Sequence, residues 1–229
     1  MKSFGGGFFA AIFALALVIG GATASGSVLV PPQGPIAPDL WTSCTGCVTV
    51  GSGIFGTGST SSDLGFVYSA GIFTNDPLNP YGLNDLDFIY SFLNNATSTA
   101  SISRIAATNI EGAADAGYFT AAVFPGGTIG PTTVDRISSD VVGFNFNSFG
   151  PGDESFVLVI KTNAMASSVG LLSGMLNVID SNGNSTSVPA FAPVPEPALF
   201  WPLAGSLIAV GAHRRMRVAK AQRNEGRRQ

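Results

Sequence analysis

The chain has 229 residues, of which 11% are charged, and a formal net charge of −3. That charge is unevenly spread: residues 25–193 hold twelve acids against three bases, Arg104, Arg136 and Lys161, a net of about −9, and the compensating cations lie at the C-terminus. A region this acidic argues against DNA, RNA or other polyanions as ligands, because neutralising phosphates needs clustered Lys and Arg.

At the N-terminus, Lys2 and the free amine are the only positive charges before an apolar run from Phe8 to Gly21, which ends in Ala22-Thr23-Ala24-Ser25. A short basic start, an apolar stretch and an A-x-A site describe a secretory signal peptide over 1–24, helical in its apolar part. The competing reading is an uncleaved anchor, but the run is shorter than the ~20 residues of a typical spanning helix. Cleavage after Ala24 leaves Ser25 as the mature start. Residues 25–193 then suffice for one domain with its own core.

Within that region, Pro31 to Pro38 reads as an extended leader. Cys44 and Cys47 follow as a C-x-x-C pair, the only cysteines. Three readings stay open. In an exported protein a local disulfide is the default. A thioredoxin-like redox pair needs its first Cys at a helix N-terminus, whereas Val48 to Gly53 reads as strand and loop. Metal binding lacks a second ligand pair in the sequence.

The rest of the region alternates with the period-2 pattern of strands. Leu86, Phe88, Tyr90 and Phe92 share one face. Val142, Phe144 and Phe146 share another, and Phe156, Leu158 and Ile160 alternate with Val157, Val159 and Lys161. Gly65 to Tyr68, Ile102 to Thr108, Tyr118 to Val123 and Val134 to Ser138 are further strand candidates. Leu176 to Ile179 leads into Asp180-Ser181-Asn182-Gly183-Asn184, where Asn-Gly supplies the positive φ angles of a tight hairpin turn. Many short strands between Gly-, Ser-, Thr- and Asn-rich gaps predict an all-β domain, a β-sandwich of jelly-roll-like or similar type.

Candidate chemistry is sparse. The single histidine, His213, lies outside this region, so neither a Ser-His-Asp nor a Cys-His system can be assembled within it. Lys161 is the remaining candidate base. Asp76, Asp85 and Asp87 gather oxygens of the kind calcium prefers but do not fit an EF-hand loop, and a solvated turn with Asx caps is the plainer reading. Asp85 with Asp87, or Asp153 with Glu154, supplies paired carboxylates, yet glycoside hydrolysis needs the pair ~5 to 9.5 Å apart across a cleft.

The C-terminus carries the strongest pattern. Val194-Pro195-Glu196-Pro197 precedes an uncharged segment, 198–212, and then His213-Arg214-Arg215-Met216-Arg217. As a helix the segment spans only about 22 Å against a ~30 Å hydrocarbon core, which snorkelling by Arg214 and Arg215 and local thinning can accommodate. Seven Lys or Arg residues follow it against the single acid Glu225, which puts the basic tail 213–229 in the cytoplasm and residues 25–193 outside.

In this order, the Pro-Glu-Pro motif, short apolar helix and Arg cluster resemble the PEP-CTERM sorting signal of exported proteins in Gram-negative bacteria, many of them makers of extracellular polysaccharide. The resemblance implies an exosortase, a membrane transpeptidase, as partner. It makes Val194, Pro195, Glu196 and Pro197 the sorting motif, and Arg214, Arg215 and Arg217 the basic stop. The tail departs from the pattern by running on to Gln229. Residues 155–193 also resemble the closing strand pair of PEP-CTERM passenger proteins. The expected protein is an exported surface or matrix component, held transiently by its C-terminal helix in membrane lipid, without enzymatic activity or cofactor, acting by adhesion or exopolysaccharide contact. A carbohydrate-active enzyme with two carboxylates, and an ice-binding protein with a flat Thr face, are the alternatives.

Overall fold

The structure, a computed structural model, describes residues 28–42, 44–120, 127–165 and 169–193, with the side chains of 169–173 excepted. The expected signal peptide, sorting motif, apolar helix and basic tail therefore lie outside the described residues.

Those residues are all strand, turn and loop, with no helix, so none is long and apolar enough to cross a membrane as a helix. In chain order the strands are β1 (Gln33–Ile36), β2 (Asp39–Trp41), β3 (Val48–Thr49), β4 (Ile54–Ser59), β5 (Gly65–Thr74), β6 (Asp85–Asn94), β7 (Ile102–Thr108), β8 (Ala114–Phe119), β9 (Thr133–Ser138), β10 (Val141–Asn145), β11 (Val157–Met165), β12 (Val169–Asp180) and β13 (Ser185–Pro193). They form a six-stranded sheet, β1-β9-β10-β7-β12-β13, and a seven-stranded sheet, β2-β8-β11-β6-β5-β3, in which β4 also pairs with β5. Ladders are antiparallel except for the parallel β2–β8 pair.

The two sheets pack face to face, because alternation gives each strand one apolar side. From the seven-stranded sheet, Phe66, Tyr68, Leu86, Phe88, Tyr90, Phe92, Leu158 and Ile160 enter the shared core; the six-stranded sheet answers with Ile102, Ile105, Val134, Val142, Phe144, Leu176 and Val178. Leu86, Phe88, Tyr90 and Phe92 thus share a buried face as their spacing requires. Phe92 sits against the rings of Phe66 (centroids 5.9 Å apart) and Tyr68 (6.0 Å). Truncating such a side chain to alanine costs about 3–5 kcal/mol, transfer and cavity together.

Several sequence expectations are refined. The leader is not free: Gln33 and Ile36 pair with Arg136 and Val134, so β1 is an edge strand of the six-stranded sheet. The candidate strand at Tyr118 begins earlier, at Ala114, and its last residues, 121–123, lie outside the described ones. The β12–β13 hairpin forms where Asn-Gly stands, but positive φ falls on Gly183 alone (87°), the mark of a longer turn closed by one left-handed residue. Asp180 braces that turn, its Oδ1 accepting the amides of Asn182 and Asn184 (both 2.9 Å) and its Oδ2 the Thr60 hydroxyl (2.6 Å).

Two of the three bases act as fasteners. Arg104 grips Asp135 with both terminal nitrogens and reaches Asn145 (2.6 Å) on the outer side of the six-stranded sheet. Arg136 is 1% exposed. Its guanidinium donates to four carbonyls, Leu29 (3.2 Å), Ile110 (2.8 Å), Gly112 (2.8 Å) and Ser139, tying the segment before β1, the β7–β8 connection and the β9–β10 turn together.

Candidate functional site

The third base, Lys161, defines the most unusual part of the molecule. On β11 the inward positions go to Leu158 and Ile160, so Val157, Val159 and Lys161 face outward from the seven-stranded sheet. An outward lysine would ordinarily reach water. Here it is 0% exposed, because a second apolar cluster covers this end of the sheet: Trp41, Phe73, Ile89, Phe119, Val157 and Val159, with Cys44, Cys47 and Leu78 packed on it.

Register places the acids around the lysine. Lys161 stands opposite Asp115 of β8 on one side and Asp87 of β6 on the other, so three ionisable groups form one row across the central strands. Gly117 admits β2 beside this row, since a Cβ there would lie 2.0 Å from the Asp39 carbonyl oxygen. Asp76 completes the group from the β5–β6 connection. That connection turns sharply at Asn75 (φ 61°) and is held by the Leu78 amide, which donates to Asp76 Oδ1 at 2.8 Å.

The Lys161 Nζ lies 2.7 Å from Asp76 Oδ2, with both side chains fully buried. It donates to the Leu78 carbonyl (3.0 Å) and sits 4.1 Å from the centre of the Trp41 ring, whose negative face attracts a cation. Asn79 donates its amide to Asp87 Oδ1 (2.9 Å) and to the Thr162 carbonyl (3.2 Å), so it orients the second carboxyl.

The acids are driven apart in protonation. Burial pushes the Asp87 carboxyl up to about 9, reinforced by the hydrogen bond and charge of Asp76. Asp87 is therefore a neutral acid at pH 7. Burial also penalises Asp76, but hydrogen bonds from Asp87 and Lys161, the Leu78 amide and the lysine's charge outweigh it and hold Asp76 below the usual range. Burial, then the charge and hydrogen bond of Asp39, raise Asp115 to about 7. Two carboxyls in one pocket cannot both ionise cheaply beside a single cation.

The Asx turn expected at Asp76 is present, but it is not solvated, because the second apolar cluster seals it. Asp85, grouped with these acids in sequence, instead lies near Gly82 with its carboxyl raised by burial. Asp153 spends Oδ2 on the Gly150 amide (2.8 Å). Cys44 and Cys47 pair as a disulfide, Cα atoms 5.5 Å apart, followed by strand β3 rather than a helix. Their sulfurs and the carboxylate oxygens of Asp76 and Asp87 lie within 4.8 Å of one another. The second ligand pair missing from the sequence is thus present in space, but a disulfide offers no thiolate to a metal.

Beyond the sealed end, the same face is open. A shallow groove of about 210 Å³ runs over Thr49, Phe55, Ser69, Phe73, Ile89 and Ser91. Phe55 is 81% exposed at its rim, and the hydroxyls of Ser69 and Ser91 pair at 2.8 Å on its floor. On β4, Thr57 and Ser59 follow Phe55 on the exposed side, while Thr60 is committed to Asp180.

The sequence singles out Lys161, the only lysine in residues 25–193, and Asp76, Asp87, Cys44 and Cys47 one by one, but not their meeting in a single pocket, and it does not point to the groove. Comparisons with family models, with curated proteins and with solved structures return no match to this chain.

Proposed function

We propose that this chain is an exported cell-surface or extracellular-matrix protein, sorted by a PEP-CTERM signal, whose β-sandwich contacts exopolysaccharide without enzymatic activity. Three features of sequence support export and sorting: the signal peptide over 1–24, the Val194-Pro195-Glu196-Pro197 motif, and the apolar segment ending in Arg214, Arg215 and Arg217. On this reading an exosortase and membrane lipid are transient partners, and the final site is the surface or beyond. The chain's repeated crossings between the two sheets, at β7 to β8, β8 to β9, β10 to β11 and β11 to β12, support a jelly-roll-like arrangement.

The observation that carries the ligand class is the open groove. An exposed aromatic ring beside paired hydroxyls suits a sugar, whose apolar face stacks on the ring while its hydroxyls bond below. The charge agrees. Arg104 and Arg136 are engaged with the protein's own groups and Lys161 is buried, so the surface offers acids to its surroundings and favours a neutral glycan over a polyanion. A glycan array probed with the mature protein tests this. Neutral polysaccharide is expected to bind, and Phe55→Ala to weaken binding at least tenfold with the circular dichroism spectrum unchanged. Binding unaffected by Phe55→Ala would remove the groove from the account.

A further inference from the structure

We propose that Lys161 and Asp76 join covalently, as an intramolecular amide between the lysine Nζ and the Asp76 Cγ, with Asp87 as the proton-transferring group. The inference stands apart from the glycan reading and rests on the sealed pocket alone.

Three aspects of the geometry favour the bond. First, amine and carboxyl are already in contact at 2.7 Å and are fully buried. Strand register fixes the lysine, and the Leu78 amide fixes the acid. Holding reactants in contact replaces a bimolecular encounter by an intramolecular one of very high effective concentration. Second, the Trp41 ring and the Leu78 carbonyl flank the amine, so water competes poorly, and a desolvated ion pair is replaced by a neutral amide. Third, Asp87 stands opposite Lys161 in the strand register, has a carboxyl oxygen within 4.8 Å of one of Asp76, is oriented by Asn79, and is kept protonated by burial. A neutral carboxyl at that place can give one proton and take another.

The chemistry balances without any co-reactant. The Lys161 ammonium passes a proton to the Asp76 carboxylate, leaving a neutral amine and a carboxylic acid. The Nζ lone pair attacks Cγ and the C–N bond forms. Negative charge collects on Oδ1, where the Leu78 N–H donates to it. Asp87 protonates the Oδ2 hydroxyl, which leaves as water when its C–O bond breaks. The Asp87 carboxylate then takes the surplus proton from Nζ and returns to its starting form. Ammonium plus carboxylate has become amide plus one water, with nothing oxidised or reduced. Because β11 and the β5–β6 connection are far apart in sequence, the bond would close a long loop across the sheet.

Peptide mapping of the full chain tests the bond, because it is insensitive to processing at either end. Protein is denatured, reduced, alkylated and digested. A branched peptide joining the Lys161 and Asp76 segments, lighter than their sum by one water, is expected, together with loss of the linear Lys161 peptide. Lys161→Arg and Asp76→Ala are each expected to abolish the branched species. Asp87→Asn is expected to leave amine and acid unjoined while retaining a β-type circular dichroism spectrum. Recovery of the linear Lys161 and Asp76 peptides in full from the unmutated protein would overturn the proposal whatever the variants do. A branch to Asp87 or Asp115 would overturn the choice of Asp76, and full cross-linking in Asp87→Asn would overturn the role of Asp87.

Discussion

Arg136 offers the sharpest test of how the sandwich holds its end together. Replacing it with methionine keeps the apolar stem and removes four donated hydrogen bonds, to Leu29, Ile110, Gly112 and Ser139. Burial lowers the guanidinium's pKa from its ordinary value, with partial compensation from Tyr81 and Asp140, and an arginine remains charged under all working conditions. The gain on mutation is relief from holding that charge out of water. The loss is larger, since four carbonyls lose their donor and the buried ones each cost about 1–3 kcal/mol unpaired. Water entering near Gly112 and Ser139 recovers part of this, so the net loss is roughly 3–5 kcal/mol. For a domain of this size that corresponds to a melting point lower by roughly 6 to 20 °C. Urea denaturation of the mature protein, followed by circular dichroism, measures it. Arg136→Lys keeps the charge without the fork and should fall between. A change below about 1 kcal/mol in Arg136→Met would show that the four bonds do not fasten the structure, and refute the reasoning.

Stability should fall as pH rises through the neutral range. Folded Asp87 keeps its proton up to about 9 and Asp115 up to about 7, whereas the unfolded chain loses both near 4, so between those values the folded state binds more protons, each contributing at most about 1.4 kcal/mol per pH unit. Asp76 works in the opposite sense and only below its ordinary value. With no histidine in residues 25–193, denaturation midpoints from pH 5 to 9 should trace these carboxyls, and Asp87→Asn should flatten the curve. The direction holds whether or not Lys161 is joined to Asp76, because burial, the largest cause of the raised Asp87 value, is present in both forms. Alkylation of exported protein without reductant should label neither cysteine. Replacing both with serine should cost about 2 kcal/mol or less, since the loop they close is so short; labelling of both thiols would reopen the metal reading.

The fold was largely legible because it follows from alternation. Leu86 to Phe92, Val142 to Phe144, and Leu158 with Ile160 put every second side chain into one core, and the turn at Asp180 to Asn184 marked its hairpin. Strand partners were not legible, since pairing joins distant segments such as β7 and β12. β1 escaped notice because its prolines and short length read as leader. The sealed pocket escaped for a different reason. Lys161 occupies the outward side of its strand, where polar residues normally meet water. Only the placement of Trp41, Leu78 and the cysteines over that face turns an ordinary exposed lysine into a buried one, and that placement is tertiary. Asp76 and Asp87 likewise read as turn and strand-start residues until register set one beside, and the other opposite, the same amine.

Export and sorting are the centre of the functional account, and the termini of the mature protein decide them. Intact mass and terminal sequencing of protein recovered from the cell surface are the direct measurement. The account predicts a chain beginning at Ser25, ending near the Val194-Pro195-Glu196-Pro197 motif and lacking Phe200 to Gln229. Alanines at Pro195, Glu196 and Pro197 should hold the tailed form in the inner membrane. Full-length protein from Met1 to Gln229, found in the cytoplasm and absent from the surface, would contradict the account.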